Sequence, residues 1–90
     1  NIFFASFLDV TPPSVVSCPQ GVYNVTDLLQ TAVYWTPPKF SDNVGVVSVL
    51  SNRQPGFLMD AYRTIRVRYV ASDAAGNLAY CIFNVTLDSK

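Results

Sequence analysis

The residues that could do chemistry in this chain are few, and their types narrow the field quickly. There is no histidine among the 90 residues. That removes the usual general base, the usual zinc ligand and the Ser-His and Cys-His nucleophile pairs. Asp60 and Asp73 form no acid–base motif, and no serine has an evident base beside it. The two cysteines, Cys18 and Cys81, stand far apart, without the C-x-x-C spacing of zinc or thioredoxin-type redox sites. The clustered oxygen donors are Asp42, Asn43, Asp73 and Asn77, with Asp9 upstream. Hard oxygen ligands suit Ca²⁺, which makes calcium the one cofactor these residues allow. A calcium site wants about six or more oxygens and usually several carboxylates. The same residues serve better as turn caps, Asp73 with Asn77 across a tight turn and Asp42-Asn43 as an Asx-turn.

The elements that must position these residues read as short strands. The chain is organised around a hairpin from Tyr69 to Cys81. Before its turn, Ile65, Val67, Tyr69 and Ala71 share one face, and Arg66, Arg68, Val70 and Ser72 the other. After it, Ala79, Cys81, Phe83, Val85 and Leu87 alternate with Tyr80, Ile82, Asn84 and Thr86. Period two with one apolar face predicts a half-buried antiparallel pair. Upstream, Ser14–Cys18 reads as a short edge strand and Val22–Thr26 as a second. Asp27–Gln30 is a connection or one turn of helix. Thr31–Trp35 is a strand with Val33 and Trp35 on the core face, ended by Pro37-Pro38. Phe40–Asn43 is a loop and Val44–Ser51 a strand. Phe57–Tyr62 approaches the hairpin, with Leu58 and Met59 either an exposed contact patch or a lid over the core. Arg63, Arg66 and Arg68 make a solvated stripe. The pattern predicts an all-β fold, an immunoglobulin-like antiparallel β-sandwich of about seven short strands.

Half the residues are hydrophobic, only 13% are charged, and the net charge is zero. Such a chain folds as one domain with a modest core. A binder of nucleic acid or of an acidic membrane would carry a basic excess. No apolar run is long enough to cross a bilayer. The expected partners are therefore other protein domains or copies of the chain itself, with no nucleic acid and no membrane insertion. So little surface charge calls for another source of solubility, either glycans or coverage by neighbouring copies.

Residues 1–8 form an apolar arm, carried by Ile2, Phe3, Phe4, Phe7 and Leu8. It precedes a Pro-rich linker, residues 9–13, and the sandwich itself, residues 14–88. Three readings of the arm compete: the remnant of a secretory segment, a strand of its own sheet or of a preceding domain, and a strand donated to another copy. The absence of a starting Met points to a processed chain or a fragment.

Cys18 lies on the first core strand and Cys81 on the last. In a sandwich such strands can be neighbours, so a bridge is reasonable. The alternative is two buried free thiols. A bridge would imply an oxidising compartment and hence a secreted or cell-surface protein. Asn24-Val25-Thr26 and Asn84-Val85-Thr86 both match the N-glycan acceptor pattern. Asn84 faces away from Cys81 and Phe83 and should reach solvent. Asn24 shares an outward face with Val22 if Tyr23 and Val25 point inward. Both are glycan candidates, or plain polar strand residues where no such pathway operates.

Several segments follow one another in a recognisable order. They are Thr11-Pro12-Pro13, Ser17-Cys18-Pro19, Val33-Tyr34-Trp35-Thr36-Pro37-Pro38 and Ser41-Asp42-Asn43. After these come Val67 to Asn77 and Cys81-Ile82-Phe83-Asn84-Val85. In this order the stretch from Asp9 to Leu87 resembles the hyalin repeat, or HYR domain, an extracellular immunoglobulin-like module related to fibronectin type III. Two departures stand out. A second cysteine pair common in that family falls here near Gln30 and at Val44. Its Gly-rich approach to the long hairpin is replaced by Phe57–Tyr62. The resemblance implies cell adhesion or matrix assembly, as one unit of a multidomain or polymeric protein, and no catalysis. Tyr69 resembles the tyrosine-corner position of immunoglobulin-like folds. Three functions follow: an adhesion or spacer module assembling head to tail, a filament subunit joined by donated strands, and carbohydrate binding through exposed Tyr or Trp.

Overall fold

The computed structural model describes residues 11–42 and 45–90. The arm residues Ile2, Phe3, Phe4, Phe7 and Leu8, together with Asp9 and Asn43, lie outside the described residues. The strands are β1 (Ser14–Ser17), β2 (Val22–Thr26), β3 (Gln30–Val33), β4 (Lys39–Ser41), β5 (Val46–Ser51), β6 (Phe57–Asp60), β7 (Arg63–Asp73) and β8 (Leu78–Ser89). No helix occurs among the described residues.

The long hairpin sets the frame. β7 and β8 pair antiparallel from Arg63 opposite Leu87 to Ser72 opposite Leu78. Their odd-numbered residues turn inward, and Val67, Tyr69, Ala71, Cys81, Phe83, Val85 and Leu87 are buried. A slip of one residue would carry Arg66 and Arg68 into that core, so the alternation also fixes the register. β5 joins the free side of β7 and β2 the free side of β8, giving the order β2-β8-β7-β5. Facing this sheet is the pair β3-β6, which contributes Val33 and Met59 to the core. Trp35 follows just beyond β3, and Phe40 packs in from the small β1-β4 ribbon. The layers together make a β-sandwich.

Several elements depart from the sequence pattern. Lys39–Ser41 is a strand paired with β1, where a loop is expected from Phe40 onward. Phe57–Asp60 is likewise a strand, in register with β3. Met59 is only 2% exposed and fills the core, whereas its neighbour Leu58 is 56% exposed. Strand alternation separates the two, so they form neither a joint patch nor a lid. The third strand ends at Val33, earlier than expected, although Trp35 beyond it is still buried. The connection after β2 makes no helical turn. The Thr26 hydroxyl there accepts the Leu28 N–H at 3.1 Å. Finally, the sandwich is not wholly antiparallel, because β2 runs parallel to β8.

The parallel pairing has a covalent counterpart. Cys18 and Cys81 form a disulfide with their Cα atoms 5.8 Å apart, a separation of 63 residues along the chain. Val22 pairs with Val85, Tyr23 with Thr86 and Asn24 with Leu87, each pair also 63 residues apart. The bridge therefore stands in the same register as the ladder that follows it. Once Cys18 is held beside Cys81, the chain has only to advance alongside β8 to lay down β2.

Three aromatic rings fill the middle of the core. The Trp35 indole N–H donates to the Tyr69 hydroxyl at 2.9 Å, and both residues are buried. Phe83 meets Trp35 edge-on with ring centres 5.8 Å apart, and it stacks with Tyr69 at 6.3 Å. Tyr69 thus answers a side chain of the opposite layer, where a tyrosine corner would answer the backbone. Replacing both cysteines by Ala should lower unfolding free energy by about 4 kcal/mol on the chain-entropy account of so long a loop. Urea titration with and without reductant measures it. Tyr69→Phe should cost about 2 kcal/mol by leaving the buried indole N–H without a partner. It should also shift Trp35 fluorescence while the fold is retained.

Candidate interaction surface

Asp73 and Asn77 meet at the tip of the long hairpin. One Asp73 carboxylate oxygen accepts the backbone N–H groups of Ala75 at 3.0 Å and Asn77 at 2.8 Å. The other accepts the Asn77 side-chain amide at 3.0 Å. The backbone closes the same turn, with Asp73 N–H bonded to Asn77 O and Gly76 N–H to Asp73 O. Gly76 sits at φ +86, a left-handed conformation that a Cβ would strain. Asp73 is only 4% exposed. A carboxylate engaged in this way organises a turn. Asp42 acts similarly, accepting the Gly45 N–H at 3.3 Å. Among the described residues, no three His, Cys, Asp or Glu side chains group closely enough to hold a metal ion.

The two sequons part company. Asn84 points outward from β8 and is exposed. Asn24 does not share an outward face with Val22, as the apolar pattern of β2 suggested. Val22, Asn24 and Thr26 turn inward, while Tyr23 and Val25 are exposed. The reason is the parallel register: Asn24 stands beside Leu87, which faces the core, and adopts its side. The Asn24 amide nitrogen is buried without a hydrogen-bond partner. Outward-facing Tyr23 donates instead to Asp88 at 2.9 Å. Its hydrogen bond to that carboxylate, and the charge beside it, hold the phenol above its usual pKa.

The fold presents large apolar side chains to solvent in two groups. On the outer face of the four-stranded sheet, Leu50 stands opposite Val70 and Val70 opposite Tyr80, a row across three strands. Leu50 is 69% exposed, and Leu78, Tyr80 and Ile82 extend the row along β8. Asn52 braces its edge, accepting the Arg68 N–H at 2.9 Å and donating to Arg66 O at 3.1 Å. Arg66 and Arg68 are exposed on the outer, solvated face of β7, whereas Arg63 is exposed at the start of the strand on the opposite side, so the three do not form one stripe.

A second apolar group lies where the chain leaves. Lys90 N–H bonds to Thr26 O, Tyr62 N–H to Leu87 O and Ala61 N–H to Leu29 O. These bonds gather the β2–β3 and β6–β7 connections around the C-terminal end of β8. There Leu29 is 89% and Tyr62 77% exposed, with Leu28 also in solvent. Tyr62 holds φ +66, left-handed for a bulky residue. Neither group announces itself in the sequence, because both depend on which connections the fold brings together. Trp35 is packed inside the core and offers no face to a sugar. Among the aromatic residues a carbohydrate reading would use, Tyr23, Tyr34, Tyr62 and Tyr80 are exposed.

Comparison with known proteins finds a family and a relative. The family model described as the HYR domain matches residues 8–87. The chain is 34% identical over 83 residues to Hyalin from Strongylocentrotus purpuratus, an alignment covering 89% of this chain and 7% of that protein. The chain thus spans a small fraction of that relative's length. No solved structure matches it.

Asp73→Ala should destabilise the protein by about 3 kcal/mol, since three charge-assisted bonds lose their acceptor and a buried turn its cap. Asp73→Asn should cost less, because one oxygen remains. With Asp73 acting as a cap, the melting temperature should be unchanged between excess Ca²⁺ and excess chelator. A fall with chelator would identify a bound cation.

Proposed function

The chain belongs to the HYR domain family, and on that premise we propose that it is a non-enzymatic extracellular module of structural or adhesive type. It works through protein–protein contacts and assembles head to tail with neighbouring modules. The observation that carries this reading is the apolar group of Leu28, Leu29 and Tyr62 at the end from which Lys90 leaves. The disulfide holds the incoming chain near the other end of β8. Entry and exit toward opposite ends of the longest strand suit a linear series, and exposed apolar side chains at the exit suit a contact with the next unit. The apolar arm of residues 1–8 would lie at such a junction.

The second reading is a filament subunit, in which residues 1–8 of one copy complete a sheet of the next. It is favoured by β5, which has no outer neighbour among the described residues and which exposes both Val49 and Leu50.

Sedimentation velocity of the full chain and of the chain lacking residues 1–8 separates the two. On the modular reading the full chain shows weak, concentration-dependent self-association. Leu29→Ser with Tyr62→Ser weakens it at least about tenfold, equivalent to about 1.4 kcal/mol, and leaves the urea midpoint in place. Polymerisation that stops on truncation overturns the modular reading. Monodisperse monomers in both forms end the filament reading.

A further inference from the structure

N-linked glycan is attached at the side-chain amide nitrogen of Asn, so the surroundings of that one atom decide whether a sequon can be used in a folded protein. The two sequons here share a residue pattern and a strand context, yet they place this atom oppositely. Asn84 lies on the outer face of β8 and is exposed, with no second layer over it among the described residues. Its cross-strand neighbour Arg66 is exposed as well. The sequon hydroxyl of Thr86 pairs with the hydroxyl of Thr64 at 3.0 Å on that same face. Asn24 is turned toward the core with its amide nitrogen buried. The hydroxyl of its sequon partner Thr26 is engaged with the Leu28 N–H, and Thr26 is itself buried.

We propose that Asn84 is the N-glycan acceptor of this chain and that Asn24 is not. The proposal rests on the extracellular reading above. The donor is a lipid-diphosphate-linked oligosaccharide, supplied together with a separate transferase by the secretory compartment. The bond from sugar C1 to the diphosphate oxygen breaks and the lipid diphosphate leaves. A bond from C1 to the Asn84 nitrogen forms, and one amide proton is lost to the transferase base. Transfer takes place on the chain before it folds, so both sequons are offered. A sugar on Asn84 then projects into solvent over the sheet. A sugar on Asn24 would have to occupy the space between β2 and the core, and the β2-β8 ladder could not close around it. Only chains bare at Asn24 reach the folded, disulfide-bonded state.

The test is secretion of the full chain from cultured animal cells, followed by release of N-glycans with peptide N-glycosidase F in ¹⁸O water and peptide mass mapping. The expected result is an ¹⁸O-labelled Asp at position 84 and an unmodified Asn at 24. Asn84→Gln should abolish the glycosidase-sensitive mobility shift, and Asn24→Gln should leave it in full. An unlabelled position 84 in secreted, disulfide-bonded protein overturns the proposal, as does label at position 24. Because the mapping is done on the wild-type chain, a variant that fails to fold does not decide the outcome. Failure here would leave the self-association result untouched, so the two readings are tested separately.

Discussion

One constraint orders the rest of this fold: Cys18 is tied to Cys81 in the register that β2 keeps with β8. Parallel neighbours need a long crossover, and a parallel pair closed early costs considerable chain entropy. Here the two strands are close to the two ends of the described chain. Holding a loop of this length shut without a crosslink would fall to short strands and a small core. The bridge removes most of that entropy from the unfolded state. It also determines which way β2 runs, and so which side of β2 faces inward.

That choice of side accounts for the least comfortable residue in the core region. Val22, Tyr23 and Val25 supply apolar side chains to both faces of β2, so hydrophobicity alone does not orient the strand. Leu87 does, since Asn24 lies beside it in a parallel ladder and must share its face. The result is a buried amide nitrogen without a partner, which ordinarily costs about 1–3 kcal/mol. Asp73 is the opposite case. It is more deeply buried than Asn24, but its carboxylate is surrounded by amides of its own turn. Both are polar residues inside a small sandwich. The local backbone satisfies one, and a distant covalent link imposes the position of the other.

The same contrast explains what could be read in advance. The faces of the β7-β8 hairpin were legible from Ile65 to Leu87 because its strands run 11 and 12 residues, long enough for alternation to repeat. The D-x-A-G-N turn was legible because its chemistry is local. A strand of three residues such as Lys39–Ser41 shows no period, and it exists because β1 lies beside it. Phe57–Asp60 reads as an apolar run until β3 fixes which of its residues faces in. The face of Asn24 was misread for want of the parallel pairing, and the apolar group at the end of β8 was not seen because Leu29 and Tyr62 lie far apart in the chain and are brought together by the β3-β6 ladder and the Ala61 N–H bond to Leu29 O. Local patterns carried the scaffold, whereas the candidate surfaces are products of topology.

This division bears on how such a module works. Apart from the Asn24 amide, the interior polar groups described above are tied up in structure: the indole of Trp35 holds Tyr69, and Asp73 holds its own turn. A disulfide and an alternating hairpin leave that interior little freedom to rearrange. Change therefore falls on the periphery, where edge strands, connections and outward side chains can vary without disturbing the core. A rigid body with few surface charges cannot rely on long-range attraction to find or hold a partner. On the modular reading proposed above, it would depend on short-range apolar contact made at close quarters, which becomes effective when units are linked in one chain and the effective concentration of each neighbour is high. Weak exposed contacts at the chain exit are then sufficient, and strong ones would be a liability, since they would also join separate molecules.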